Sequence, residues 1–495
     1  MKKQYNSIIF IVSSVLFLLS FLFSCNKNDI NAEFSDLSFS TDTLMFDTVF
    51  TTIGSSTRIL KVYNTSNQDI TITNIKVAGG TNSNFSINID GLASNFVSDI
   101  TIPSNDSIFI FAKVRIDPNN LSSPLVVEDS IVFNVDQNYK YIKLLAWGQD
   151  ANYIVADKFV ENLPPYKIVA KEGETVVWNS EKPYVIYGYA VVDSTATLEI
   201  APGTKVYFHS KGGLWVYKGG SIKVYGTPEN KVVFAGDRLE PEYKDVPGQW
   251  ERIWLNEGSQ NNEFYNVDIK NGFIGIQAET LDEPMGNFLI LENVNIQNMS
   301  GMGIYSRRYG IIAGNCVISN CGNYLAALTQ GGYYDFRHCT FANYWNKSFR
   351  DYPSVFISNY YLNNFDNTMY LSDLENAYFG NCIIFGSKDN ELKIDDSQLQ
   401  TMFNCLIDNC LVKAVETEND IKYINNCIFN QYPYFVDSLE YNFRLDTITS
   451  VAIDAGNLNI ISDSPIIDLT NDLDNKNRLL DGKPDLGAYE FQKTY

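Results

Sequence analysis

From residue 36 to about residue 150 apolar and polar positions alternate in short runs: Ile59-Leu60-Lys61-Val62-Tyr63-Asn64, Ile70-Thr71-Ile72, Phe85-Ser86-Ile87, Ser107-Ile108-Phe109-Ile110-Phe111 and Ile131-Val132-Phe133. A period of two broken by turn formers predicts strands that bury one face, at the spacing of a β-sandwich. Residues 151–184, with Pro164-Pro165 and Pro183, interrupt the pattern and predict a linker and a cap. Beyond them come Ala196-Thr197-Leu198-Glu199-Ile200, Gly203-Thr204-Lys205-Val206-Tyr207-Phe208, Gly220-Ser221-Ile222-Lys223-Val224-Tyr225 and Lys231-Val232-Val233-Phe234. Short strands at near-even spacing, punctuated by glycine, predict the coils of a solenoid.

One motif then recurs. Asn266-Val267-Asp268-Ile269, Asn293-Val294-Asn295-Ile296, Asn315-Cys316-Val317-Ile318, His338-Cys339-Thr340-Phe341, Asn359-Tyr360-Tyr361-Leu362, Asn381-Cys382-Ile383-Ile384, Asn404-Cys405-Leu406-Ile407 and Asn426-Cys427-Ile428-Phe429 follow one another at steps of 27, 22, 23, 21, 22, 23 and 22 residues. If each step is one coil, equivalent side chains pile up at the strand spacing of about 4.8 Å. An Asn tolerates the left-handed turn, its amide can bond to the Asn above and below, and the next residue points into the core. The single long step places an external loop around Asp282-Glu283-Pro284-Met285-Gly286.

Composition agrees with strands: aromatic residues make up 14% and hydrophobic residues 45% of the chain, too many for a disordered polymer. The net charge of −21 argues against nucleic-acid binding, which needs a basic face, and against long-range attraction to polyanions. At the N-terminus Lys2 and Lys3 precede an apolar run from Ile8 to Phe23 and then Ser24-Cys25. That order is an export signal, and its apolar run is shorter than the roughly 20 residues of a spanning helix. With Cys25 used there, seven of the eight cysteines remain, so at least one has no partner within the chain.

Leu22-Phe23-Ser24-Cys25 resembles the bacterial lipoprotein lipobox, which implies lipidation of Cys25, a membrane anchor through that lipid and, with no Asp after the Cys, an outer-membrane destination. Tyr63-Asn64, the Phe85 strand, Ile102-Pro103, Asp117-Pro118 and the closing Leu144-Leu145-Ala146-Trp147-Gly148 resemble immunoglobulin-like domains of the ASPM/SPD-2/Hydin type, which implies a spacer or docking module. The glycine-punctuated strands with Gln249-Trp250-Glu251-Arg252-Ile253, the Asn repeat and the closing Asp485-Leu486-Gly487-Ala488-Tyr489-Glu490-Phe491 resemble bacterial right-handed parallel β-helix proteins of the pectate-lyase-like superfamily. The expectation is therefore an all-β chain: signal peptide 1–24, tether 25–35, immunoglobulin-like β-sandwich 36–150, linker and cap 151–184, and right-handed parallel β-helix 185–491.

Sugar cleavage on such a fold needs paired carboxylates at the glycosidic bond, or a cation site with a basic group beside a uronic acid. Asp395-Asp396 stands without the Gly-His-Gly and Arg-x-Lys motifs of polygalacturonase-like hydrolases, and Arg307-Arg308 with Arg350 and Lys347 is the candidate basic set for a lyase. Tyr333-Tyr334, Tyr344-Trp345 and Tyr360-Tyr361 fall in neighbouring repeats and are candidates for stacking on sugar rings, although alternation turns about one of each pair inward. Cys316, Cys339, Cys382, Cys405 and Cys427 sit at the inward position and read as core filler. His209 and His338, the two histidines, offer no zinc set, while Asp472-x-Asp474-Asn475 has calcium-like spacing without an EF-hand's Gly and Glu and reads as a turn. The leading expectation is a cell-envelope lipoprotein that binds a glycan or another envelope protein, or serves as a structural or adhesive surface protein. The alternative is a polysaccharide lyase or glycoside hydrolase.

Overall fold

The computed structural model describes residues 36–50, 55, 57–116, 125–280, 288–363, 366–415, 422–446, 449–480 and 482–492. The signal peptide, Cys25, the tether, Asp117-Pro118 and the loop expected at residues 282–286 lie outside the described residues. The chain is nearly all β and divides into two compact units whose border falls between Gly148 and Gln149. Among the described residues no helix is long and apolar enough to cross a membrane.

The first unit holds two five-stranded sheets. One contains Leu37–Phe39, Arg58–Asn64, Ser107–Val114 and Phe85–Ile89; the other contains Thr43–Phe50, Asn138–Gln149, Ile70–Val77 and Phe96–Ile102. The alternation read from sequence is the burial pattern: in Ser107–Val114 every second side chain is buried. The inward rings join the sheets, with Phe39 4.8 Å from Phe133 and Phe46 5.5 Å from Phe85 between ring centres. Asn64, fully buried, donates its amide to Gln68 O, Ile102 O and Pro103 O and so closes the corner after its strand.

The second unit is one 26-stranded sheet wound on itself, in which each strand pairs in parallel with an equivalent strand one coil later. Three stacks result. The first face contains Ile253–Leu255, Ile274–Glu279, Met302–Arg307, Ala326–Thr329, Val355–Ser358 and Leu392–Asp395. A second stack runs through Phe288–Gln297, Gly310–Gly314, Gly332–Arg337, Leu374–Gly380 and Phe403–Asp408. A third contains Val317–Ser319, Thr340–Asn343, Ile383–Gly386, Leu411–Val412 and Ile428–Phe429. Residues 151–184, expected as linker and cap, already carry coil strands: Asn152–Val155, Tyr166–Ala170 and Thr175–Trp178 pair in parallel with the coil that follows. Inward Ile, Val, Leu and Phe fill the bore, including the stacked rings Phe336 and Phe379 (5.0 Å), each worth about 1.5–3 kcal/mol in removal from water.

The chain turns from the second stack into the third at Asn266, Asn293, Asn315, His338, Asn381, Asn409 and Asn426, all left-handed with φ between 48° and 57°. Asn359 and Asn404 do not belong to this set. His338 and Asn381, 43 residues apart, are neighbours in the ladder, and Asn381 Nδ2 meets His338 Nε2 at 2.9 Å. The intervening coil is lengthened by an antiparallel hairpin, Tyr360–Asn363 with Thr368–Leu371, which takes Asn359-Tyr360-Tyr361 out of the repeat. Asn404 is exposed on its strand and Cys405 pairs with Ala377, so the turn falls instead at Asn409-Cys410. The inward thiol column is therefore Cys316, Cys339, Cys382, Cys410 and Cys427, with the backbone N–H of Cys339, Cys382 and Cys410 each donating to the sulfur one coil on (3.2–3.4 Å).

Past Phe429 the chain leaves the coil and returns along its corner. Asn315 Nδ2 donates to Asn471 O, Asn381 Nδ2 to Asn457 O and Asn409 Nδ2 to Ala455 O, at 2.8–3.0 Å. Within this segment Arg478, fully buried, is paired with Glu490 at 3.2 Å and reaches Asn315 Oδ1 at 2.9 Å. Asn381 carries both demands of the corner, a left-handed backbone and a fully used amide. Asn381→Ala is expected to cost about 2–5 kcal/mol, since it adds left-handed strain to unpaired partners, whereas Asn381→Gly, which keeps the backbone free, costs about 1–3 kcal/mol. Denaturant unfolding of the two variants measures the difference.

Candidate functional site

On the first face outward side chains of equal rank stack in columns, because the strands are parallel and in register. One column runs Val191, Trp215, Trp254, Gln277, Tyr305, Ala327, Phe356 and Lys393. Two residues further along, Glu279 pairs with Arg307, Arg307 with Thr329, and Ser358 with Asp395. The indoles of Trp215 and Trp254 lie stacked, 5.1 Å between ring centres and 17° between planes, with Trp215 buried and Trp254 half-buried. Gly213 makes room for this end of the face: a Cβ there would lie 2.6 Å from the Tyr189 ring.

Charged groups brace the rings. Trp254 Nε1 donates to Glu279 Oε2 (2.9 Å), Glu279 Oε1 lies 3.9 Å from Arg307 Nη1, and the Arg307 guanidinium sits over the Tyr361 ring at 4.5 Å. Beside them Arg252 bonds Gln277 Oε1 through Nη1 and Glu251 Oε2 through Nη2 (2.9 Å). Burial, reinforced by the Glu279 charge, pushes the Tyr305 phenol up to about 12, and burial does the same for Tyr189. Both therefore stay neutral hydroxyls. Flat aromatic surfaces beside fixed carboxylates and guanidinium groups offer stacking to the apolar side of a sugar ring and hydrogen bonds to its hydroxyls.

Arg307 and Asp395 stand on this face, but the other candidates read from sequence scatter. Arg308 is the left-handed turn residue that follows the strand. Asp395 accepts from the Tyr360 hydroxyl and pairs with Lys393, whereas Asp396 accepts from Tyr423, Asn359 and the Gln398 amide. The two carboxylates thus face different partners. Arg350 is buried in a bidentate pair with Glu391 (2.7 and 2.8 Å) and is removed from any groove.

Nor do the three aromatic pairs make one strip, because the hairpin displaces the last of them. Tyr334 is fully buried, donating to Gly331 O, while Tyr333 lies under the returning segment beside Phe288. Tyr344 packs against Phe435 and Trp345 is buried. Tyr360 and Tyr361 are half-buried on the hairpin and both reach the first face, Tyr360 through its hydroxyl on Asp395 (3.1 Å) and Tyr361 beneath Arg307. Asp472 spends its oxygens on the amides of Asp474, Lys476 and Glu490, and Asp474 is clasped by Arg444 at 2.6 Å. Among the described residues no group of three or more His, Cys, Asp or Glu side chains is arranged to hold a metal ion.

No family model matches the chain, and no curated protein matches it. Among solved structures it is similar to a family 123 glycoside hydrolase from Clostridium perfringens at 9% identity and a TM-score of 0.17, over 24% of this chain and 30% of that one. It is also similar to the ASH/PapD-like domain 7 of human CEP192 (7% identity, TM-score 0.16, 23% of this chain and 84% of that one). A third is a protein of unknown function from Porphyromonas gingivalis W83 (12%, 0.17, 28% and 59%).

Sequence reasoning missed Trp215, Trp254, Glu279 and Tyr305. Their signal was available: Trp215 and Trp254 each sit between inward aliphatics, in Leu214-Trp215-Val216 and Ile253-Trp254-Leu255, so alternation alone turns both indoles outward. It also passed over a dyad in the strand that leads to Trp215. His209 Nδ1 lies 2.7 Å from Asp237 Oδ2, with Tyr187 stacked on the imidazole at 4.4 Å.

The hydrogen bond to the Asp237 carboxylate raises the pKa of His209, while burial holds that of His338 well below the usual range. Because the His209 ring binds its proton more tightly folded than unfolded, the pair stabilises the fold below about pH 6.5, and that contribution is lost as pH rises through the folded pKa. In an NMR titration one imidazole is expected to titrate above 6.5 and the other to stay neutral. Asp237→Asn is expected to return the first toward its ordinary value.

Proposed function

We propose that this protein is a glycan-binding lipoprotein of the cell envelope, whose second unit is a right-handed parallel β-helix of the pectate-lyase-like superfamily. The single observation that carries the glycan reading is the braced aromatic ladder of Trp215, Trp254, Glu279 and Arg307 on the first face. An extended polymer suits this surface because its outward groups line up along the coil axis, from Trp254 to Glu279 and Arg307. Arg252 and Arg307 are already matched by Glu251 and Glu279, and the chain is strongly acidic, so the reading is of a neutral rather than a uronic polymer. The first unit acts as an immunoglobulin-like spacer of the ASPM/SPD-2/Hydin type, and acylation of Cys25 holds the protein to the outer membrane. Each acyl methylene buried there contributes about 0.8 kcal/mol.

Two measurements test this. In affinity electrophoresis against neutral and acidic polysaccharides, retention by a neutral glycan is expected, and Trp254→Ala should weaken it about five- to thirtyfold without loss of the folded circular dichroism spectrum. No retention across the panel would remove the glycan reading, and new reducing ends or unsaturated uronate in the same samples would make the protein an enzyme instead. Cys25→Ser is expected to move the protein from the membrane to the soluble fraction and to abolish labelling by radioactive fatty acid.

A further inference from the structure

A second corner of the coil carries its own asparagines. Asn271, Asn298 and Asn320 are left-handed, and Asn298 Nδ2 donates to Asn271 Oδ1 at 2.8 Å. Continuing that ladder would bring Asn320 Nδ2 onto Asn298 Oδ1. Instead Asn320 Nδ2 turns to Ser438 O (3.5 Å) and its Oδ1 accepts from the Tyr344 amide (2.8 Å). The break leaves Asn298 Oδ1 without a donor, although the residue is 1% exposed. An unfilled buried acceptor is costly, and the corner is left one hydrogen bond short at this point.

At this break a cleft of about 170 Å³ is lined by Asn298, Asn320, Tyr344, Trp345, Lys347 and Tyr441, with Leu439 also on its wall. None of these residues belongs to the first face. Trp345 is held by Nε1 donating to Ser348 Oγ (2.9 Å) and by its amide donating to Asn343 Oδ1 (3.2 Å). The volume equals about half a dozen water shares of roughly 30 Å³, below the about 300–1,000 Å³ of drug-sized pockets. It suits one compact ring. The aromatic walls suit an apolar ring face, and the asparagine side chains of the lining suit its hydroxyls. Lys347, the one charged liner, is exposed and so screened.

We propose that this cleft binds a single neutral sugar ring, the end of a glycan chain, separately from the ladder on the first face. The proposal takes its ligand class from the glycan reading above but rests on different residues, so the two can fail independently.

Equilibrium dialysis of the purified protein against radiolabelled neutral hexoses and N-acetylhexosamines, with hexuronates as a parallel arm, tests it. Saturable uptake of at least one neutral sugar, with Kd about 1 mM, is expected. Leu439→Trp places bulk at the cleft from a position that is 67% exposed, so folding is retained, and uptake should fall at least tenfold. Trp254→Ala should leave monosaccharide uptake unchanged while it weakens polymer retention. Absence of uptake, uptake of hexuronates alone, or uptake lost in Trp254→Ala and kept in Leu439→Trp would each overturn the proposal. Monosaccharide uptake lost only in Leu439→Trp, with no polymer retained, would uphold the cleft and remove only the first-face reading.

Discussion

The second unit depends on one constraint: parallel strands must remain in register from coil to coil while the chain turns a tight corner at each pass. Asparagine meets both needs. It accepts the left-handed backbone at the corner, and its amide secures the corner to whatever lies beside it. Where coils follow one another directly that neighbour is another corner residue, as for Asn293 with Asn266 and Asn409 with Asn381. At Asn315 the ladder is interrupted, because Asn471 O and the Arg478 guanidinium take its amide. The inward column behind the corner inherits the same register, which is why five thiols follow one another and serve as small apolar filler.

The repeat made this architecture legible, and it also misled at one place for a physical reason. The coil from His338 to Asn381 spans 43 residues, close to twice the ordinary step, so its inserted hairpin imitates a coil of its own when only spacing is read. Asn359 then looks like a corner although it closes the hairpin, its carbonyl accepting from the Ser372 amide. Asn404 misleads similarly, five residues ahead of the true corner at Asn409. Spacing reports the length of chain between two marks, whereas only pairing reports how that length is spent.

The candidate site was less legible than the fold because outward residues obey no common motif. Its members are far apart in sequence and become a surface only through stacking: Trp215 meets Trp254 across 39 residues with no local signal that they pair. Doublets such as Tyr333-Tyr334 catch the eye, yet a strand sends neighbours to opposite sides, and Tyr334 goes to the core. The charges behave likewise. Arg350 looks like a surface cation beside Lys347, but burial with Glu391 turns it into a structural pair, while Arg307 at the end of its strand keeps one side toward Tyr361.

The returning segment past Phe429 alters how such a coil comes apart. A stack whose layers touch only their neighbours peels from its free end, one layer after another, each at small cost. Here a single strap is fastened to layers well separated along the axis, at Asn315, Asn381 and Asn409. None of the layers from Asn315 to Asn409 can fray without first tearing the strap away, so this part of the coil yields as a block rather than layer by layer.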